Sequence, residues 1–506
     1  MPLIPVAIAV AYIVLYFLKV IYRVTFHPLR KIPGPWFPAI SSLWIRWQRW
    51  HGKLSFTADA LLPKYGQMVR IAPNMVLVND PDAVTAAFVK NNFDTAPKAI
   101  RALRIGHELD WTVTYPEMDI AKPRRHPVMV ACTTKNLKYW QRYFEDNQEV
   151  FMKALRGPSA NKSHDIVHQL RLLTLANSQV VLAGAGLDIG KYQGEFPEIV
   201  GQYNFLVVWR LVLPDLVFKW LRWGPSKFAR YRVRSSDYLY DLGAEVVKQA
   251  QAAMDDEEGK APLDDEPPTV YKLLTQEPSK GEPIHWTKEG IAAEMAGQVL
   301  AATETTSSTL AFIFYELAKH PEVQEKLWDE LQTVNGNDHL ESLVYLDAAI
   351  KEGLRFRPPV ALTGSRVVGG NGIVLMGHFI PPGTVVTTQA LSFTRQRPDL
   401  FPDSDTFYPD RWLLRDEHYD ERRKLLVPFG VGTRRCPGGN MAVYQMRLII
   451  AGVVRAFRVY LAPETTPEKM APFEANGFRS RYDRCDLIFE PRETIEMVEA
   501  IEKFAL

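Results

Sequence analysis

The stretch Phe429-Gly430-Val431-Gly432-Thr433-Arg434-Arg435-Cys436-Pro437-Gly438 presents one thiol on a loop that then enters a helix. Gly432 and Gly438 relieve Cβ clashes where a backbone bends sharply or passes close to a flat ligand. The helix after Pro437 aims its N-terminal N–H groups and positive dipole end at the Cys436 sulfur, which predicts a lowered thiol pKa. Arg434, two residues earlier, can reach an anionic substituent of that ligand with paired hydrogen bonds. Most lone cysteines are buried and inert, but that reading leaves Phe429, the two glycines and the arginine at these offsets without a reason.

Outward from this loop, residues 440–457 read as a last long helix, and 395–438 as loop-rich. Short strands are expected at 364–368, at 372–376, and from 384 onward after the turn Pro381-Pro382-Gly383. Glu352 and Arg355 stand at i and i+3, on one helix face where they can pair; alone, that spacing is a common surface pair. Residues 286–320 read as one long helix of apolar and small residues closed by Pro321, followed by an amphipathic helix at 322–332. Within the long helix, Thr305 falls one turn after Ala301, so both can face one cavity and the hydroxyl can bond back to the carbonyl of residue 301. Residues 69–78 alternate around Pro73-Asn74 and predict a hairpin. Residues 200–222 are apolar without a clean polar face, fitting either core or a flap against a bilayer. Residues 255–268 form an acidic, proline-containing loop read as solvated surface. There is no internal repeat. The picture is mainly α with a smaller β portion.

The quoted loop resembles, position for position, the haem-binding signature F-x-x-G-x-R-x-C-x-G of the cytochromes P-450. Three further matches stand in the right order. Glu352-Gly353-Leu354-Arg355 resembles the family's E-x-x-R helix, with Phe407-Tyr408-Pro409-Asp410-Arg411-Trp412 adding Arg411. Ala301-Ala302-Thr303-Glu304-Thr305-Thr306 resembles the A/G-G-x-D/E-T-T/S stretch of the central helix. The N-terminal wording Phe26-His27-Pro28-Leu29-Arg30-Lys31-Ile32-Pro33-Gly34-Pro35 looks like microsomal, filamentous-fungal secondary-metabolism members. The resemblance runs from about residue 28 to about 491. It implies haem b with Cys436 as axial iron ligand, and Phe429, Gly438 and Arg434 in the haem-binding loop. It implies Thr305 and Glu304 in proton delivery, and Glu352, Arg355 and Arg411 as a buried charge cluster. Arg366 looks like a further propionate partner. Two departures stand out: Ala302 where the family often has Gly, and Ala121 where its W-x-x-x-R motif has Trp, leaving Arg125 as the propionate contact.

Composition sets the frame. The chain has 506 residues, 60 Lys+Arg against 58 Asp+Glu, 47% hydrophobic and 23% charged residues, so it is ordinary globular and gives no reason for a nucleic-acid partner. Length alone allows roughly three domains. Cys132, Cys436 and Cys485 form no CxxC pair, which excludes a disulfide scaffold and argues against a cysteine-built zinc site; the body is expected in a reducing compartment. Residues 1–18 carry no charge and reach ~27 Å as a helix, close to a ~30 Å hydrocarbon core. The bases Lys19, Arg23, Arg30, Lys31, Arg46, Arg49 and Lys53 all precede the first acid, Asp59. A signal peptide would put its bases first; here the positive-inside rule keeps the chain after residue 22 cytoplasmic. The expected organisation is a transmembrane anchor at 1–22, a basic, Pro-rich hinge at 23–40 and one large P-450-type domain at 41–506, single-pass in the endoplasmic reticulum membrane.

The expected activity is insertion of one atom of O₂ into a lipophilic small molecule such as a terpenoid or polyketide. Family members draw NADPH-derived electrons through a flavin-containing NADPH–cytochrome P-450 reductase, which could dock at Lys135, Lys138 and Arg435. Substrate contacts map to 95–114, 205–213, 301–305, 360–363 and 476–478. The alternatives are a same-fold enzyme of rearrangement or dehydration without a reductase, a thiol hydrolase lacking a positioned histidine, and a non-enzymatic membrane haem protein, which would not need Thr305.

Overall fold

The computed structural model describes residues 3–156, 162–184, 194–257, 267–276, 284, 286–362 and 364–492. Its centre is the helix Lys288–Lys319, slightly inside the expected 286–320. Thr287 caps its start, accepting from the Gly290 N–H, and Pro321 opens the next helix, Pro321–Leu331. The central helix is apolar or small on every face, and such a helix belongs inside; most of its residues from Ile291 to Leu317 are buried. Around it pack Lys227–Glu257, Ile166–Ala183, Val344–Phe356 and Gly439–Ala456. Gly243 permits a close crossing, because a Cβ there would stand 2.3 Å from the Ala292 carbonyl oxygen.

The β portion lies to one side. Met68–Ala72 and Met75–Val78 form the expected antiparallel hairpin; Val385–Thr387 runs parallel to the second strand, and Ser365–Val367 closes the sheet antiparallel. Ile373–Leu375 pairs with His378–Ile380. The second strand of that pair was not expected; Met376 and Gly377, both at positive φ, make the tight turn that creates it. Phe457–Leu461, Asp486–Pro491 and His164–Asp165 build a third sheet, and Pro472–Glu474 with Phe478–Ser480 a hairpin. The stretch 395–438 includes one short helix, Tyr419–Leu425.

The apolar run 200–222 divides between its two readings. Phe196–Val212 buries Tyr203, Leu206, Val207 and Val208. Asp215–Trp223 instead leaves Leu216 81% and Trp223 82% exposed. Of the acidic loop 255–268, residues 258–266 lie outside the described residues.

The N-terminal helix runs Leu3–Thr25, past the expected end at 22. Among the described residues no helix is long and apolar enough to cross a membrane, so the expected span is not shown. The hinge 23–40 contains a helical turn at Pro28–Lys31 and a short helix, Trp36–Ile40.

Candidate active site

The residues that the sequence singles out by chemistry fall into two groups around the central helix. On one side lies a cavity of about 590 Å³ whose wall includes Cys436, Phe429, Gly438, Arg434, Arg125, Arg366, Ala301, Glu304 and Thr305. On the other side lies the Glu352 cluster.

Cys436 sits just before the helix Gly439–Ala456, with Gly438 at its N-cap. The Cys436 N–H donates to the Phe429 carbonyl at 2.8 Å, which closes the loop beneath the sulfur. Gly432 has φ +70 and a Cβ there would meet the Phe88 carbonyl oxygen at 2.6 Å, so both the turn and the space require glycine. The thiol is open to the cavity but walled by protein elsewhere. Burial pushes its pKa up, while the Gly438 N–H, Arg125 and Arg435 pull it down. The expected lowering is therefore overturned for the free thiol: the helix start contributes a donor, but desolvation of the anion is larger. Cys132 also lines the cavity, its thiol held up at about 12 by burial and then by Cys436.

Three arginines share this wall without a carboxylate partner among the described residues. Arg434 donates to the carbonyls of Tyr115, Pro116 and Glu117 and touches the Met118 sulfur. Arg366 donates to Thr95 Oγ1 at 3.3 Å and lies over the Phe88 ring, while its buried Nε has no partner. Burial and then neighbouring arginines bring Arg366 and Arg434 down to about 10. Arg125, 8% exposed, is lowered by burial and partly restored by Cys436. Buried cations gathered in this way are costly unless an anion joins them. The motif-poor segment around Ala121 thus does deliver Arg125 to the cavity.

Above the cavity, Thr305 Oγ1 donates to the Ala301 carbonyl at 2.8 Å, the back-bond expected from the spacing. Glu304 is not a free acid. Arg171 grips both its oxygens at 2.8 and 2.9 Å, and Asn204 adds a 2.9 Å bond. The same guanidinium holds Asp483 at 2.8 Å twice, and Arg479 pairs with Asp483. Burial works against the Arg171 charge, but the two carboxylates hold its pKa above the ordinary value. The sequence reading of Glu304 as a relay must accommodate this clamp. Arg171 and Asp483 carried no local signal; 312 residues separate them.

Glu352 is wholly buried and fully engaged. Arg355 donates twice at 2.8 Å, Arg411 at 3.1 Å, Trp412 Nε1 at 2.9 Å and the Tyr408 N–H at 2.9 Å. Of the expected substrate segments, residues from each line the cavity, including Thr95, Leu211, Val360 and Phe478; Thr363 lies outside the described residues. Missed by the sequence were Arg49, Phe88, Gln298 and Glu474. Of the bases suggested for docking, Lys138 is paired with Glu341 at 3.0 Å on the surface.

The cytochrome P450 family model matches residues 32–482. The chain belongs to the cytochrome P450 family. It is 29% identical to the cytochrome P450 monooxygenase BOT1 of Botryotinia fuckeliana over 458 residues, 87% of each protein. It is 28% identical to the cytochrome P450 monooxygenase gsfF of Penicillium aethiopicum over 470 residues, 86% of this chain and 89% of that protein. A third relative, the cytochrome P450 monooxygenase aneF of Aspergillus aculeatus, is 26% identical over 86% of this chain. This P450 is accordingly an oxidoreductase of the oxygen-incorporating kind, and its family implies a haem iron.

Proposed function

We propose that this P450 oxidises a lipophilic small molecule of fungal secondary metabolism, and that Cys436 would hold the iron of haem b. The observation that carries the reading is one largely apolar cavity with the exposed Cys436 thiol and three arginines, Arg125, Arg366 and Arg434, that have no carboxylate partner among the described residues. The site fits haem: Arg125, Arg366 and Arg434 would take its two propionates, and Cys436 its iron. When bound, thiolate-ligated haem supplies the activation of O₂. The chain's own part is to exclude water with the apolar wall, to orient the substrate, and to hold a hydroxyl at Thr305 facing the cavity. Phe429 fixes the loop through its carbonyl, and Gly438 offers an N–H to the sulfur.

Electrons would come from NADPH through a membrane-bound flavin reductase. We place the chain on the endoplasmic reticulum membrane, anchored by its first helix with the body cytoplasmic. The support is exposed apolar surface at Tyr12, Leu15, Phe17, Trp36, Trp47 and Trp223, on elements that pack in series from the N-terminal helix to Phe196–Val212 and Asp215–Trp223. Apolar burial is not screened by salt as charge is, so release from membranes by salt alone would refute the anchor.

The deciding experiment is the spectrum of the reduced protein with carbon monoxide. The wild type should show the band of thiolate ligation, Cys436→Ser should lose it, and Cys132→Ser and Cys485→Ser should keep it. A folded, haem-loaded wild type without that band sinks the proposal.

A further inference from the structure

The cavity carries a second cationic feature apart from the arginine trio. Arg49, at the end of the helix Leu43–Trp50, lines the cavity with Glu474, Asn476 and Phe478 of the 472–480 hairpin. Among the described residues no acceptor stands within hydrogen-bond distance of its guanidinium, and no carboxylate within ion-pair distance. Burial lowers the Arg49 pKa and Glu474 partly restores it. Glu474 is not simply waiting for Arg49. One of its oxygens accepts the Ser55 N–H at 2.8 Å, and burial raises its pKa toward the neutral acid. The Arg49 guanidinium, a planar fork of five N–H donors, thus borders the cavity without a hydrogen-bond acceptor among the described residues. The few polar groups in such pockets fix the orientation of a ligand.

Resting on the haem-site reading above, we infer that Arg49 is a specificity-determining residue, and that the substrate class is a lipophilic carboxylic acid. The carboxylate would take the guanidinium in the paired geometry that favours Arg over Lys. Glu474 already gives one oxygen to the Ser55 N–H, and burial raises its pKa. The acid end would thus be held at the 472–480 hairpin, leaving the apolar body of the molecule to reach the wall of Thr305 and Cys436.

The test is a titration of haem-loaded full-length protein with dodecanoic acid and, separately, methyl dodecanoate, read by the Soret shift and by equilibrium dialysis. Wild type should bind the acid roughly tenfold or more tightly than the ester, a charged hydrogen-bond pair being set against a neutral acceptor. Arg49→Gln should bring the acid down to the level of the ester and leave the ester unchanged; Arg49→Lys should keep part of the preference. Equal binding of acid and ester by wild type, no binding of the acid, or an undiminished preference in Arg49→Gln overturns the inference. If Arg49→Gln does not load haem, the acid–ester comparison in wild type decides alone. The carbon monoxide spectrum on the same preparations keeps a failure here distinct from a failure of the Cys436 assignment.

Discussion

Replacing Glu352 by alanine tests a wholly buried cluster of charge. Glu352 and Arg355 have fully buried side chains, and the Arg411 side chain is 3% exposed. The carboxylate receives five donors, from Arg355 twice, Arg411, Trp412 and the Tyr408 backbone. Each arginine is also tied to backbone carbonyls, Arg355 to Ser404 and Thr406, Arg411 to Pro402. Those anchors prevent either guanidinium from swinging out to water when its partner goes. Glu352→Ala would thus leave two like charges facing across a cavity, and burial already lowers the Arg411 pKa against the help of Glu352. Losing one member of a buried pair costs ~3–5 kcal/mol, a large share of a net stability of ~5–15 kcal/mol. Glu352→Gln keeps the shape and one acceptor, so it should fall between alanine and wild type. The assay is haem per polypeptide after purification, with urea unfolding followed by tryptophan fluorescence. Glu352→Ala should appear mainly as haem-free or aggregated chain. If it holds wild-type haem and unfolds within ~1 kcal/mol of wild type, below the range for an orphaned buried charge, the cluster does not brace the fold.

Thr305→Ala should keep its haem and still consume NADPH and O₂, but divert flux to hydrogen peroxide; Thr305→Ser should retain most coupling. General acid assistance is worth ~10²–10⁴-fold, so product formed per NADPH oxidised separates a proton-delivering hydroxyl from one that merely packs. Glu294 gives a pH signature: burial raises its carboxyl above the ordinary value, against bonds from Gln298 and Thr112. The native state then holds that proton more tightly than the unfolded chain, so its stabilisation is full below the ordinary value and is lost as pH rises through the raised one. Glu294→Gln should therefore gain stability relative to wild type as pH rises above the ordinary carboxylate range; a difference that stays flat as pH rises would show that Glu294 titrates normally.

The readings that survived contact with the structure share a property: each rests on residues close in sequence. The loop from Phe429 to Gly438 delivers its thiol to a cavity wall at a helix start because turn, glycines and helix are contiguous. Thr305 bonds back to Ala301 because i and i+4 meet on any helix. Glu352 and Arg355 pair for the same reason. The hairpin at 68–78 and the stop at Pro321 are likewise local.

What failed or stayed invisible depends on distance through space. The lowered Cys436 pKa expected from the helix start was reversed because desolvation is set by everything packed around the loop, including segments more than 300 residues away. Glu304, read as a partner of Thr305 in proton delivery, is also gripped by Arg171, which Asp483 holds too, and no local pattern announces a clamp among three distant segments. Arg49 looked like one of several bases beside an anchor; the fold sets it on the cavity wall beside the hairpin at 472–480. The sequence by itself determined the family, the thiol and the order of elements, since these follow from short-range spacing and periodicity. Tertiary structure alone decided which charges are paired, which are left facing the cavity and how burial moves their pKa values. Coulomb and desolvation energies depend on separation in space, which the order of residues along the chain does not express.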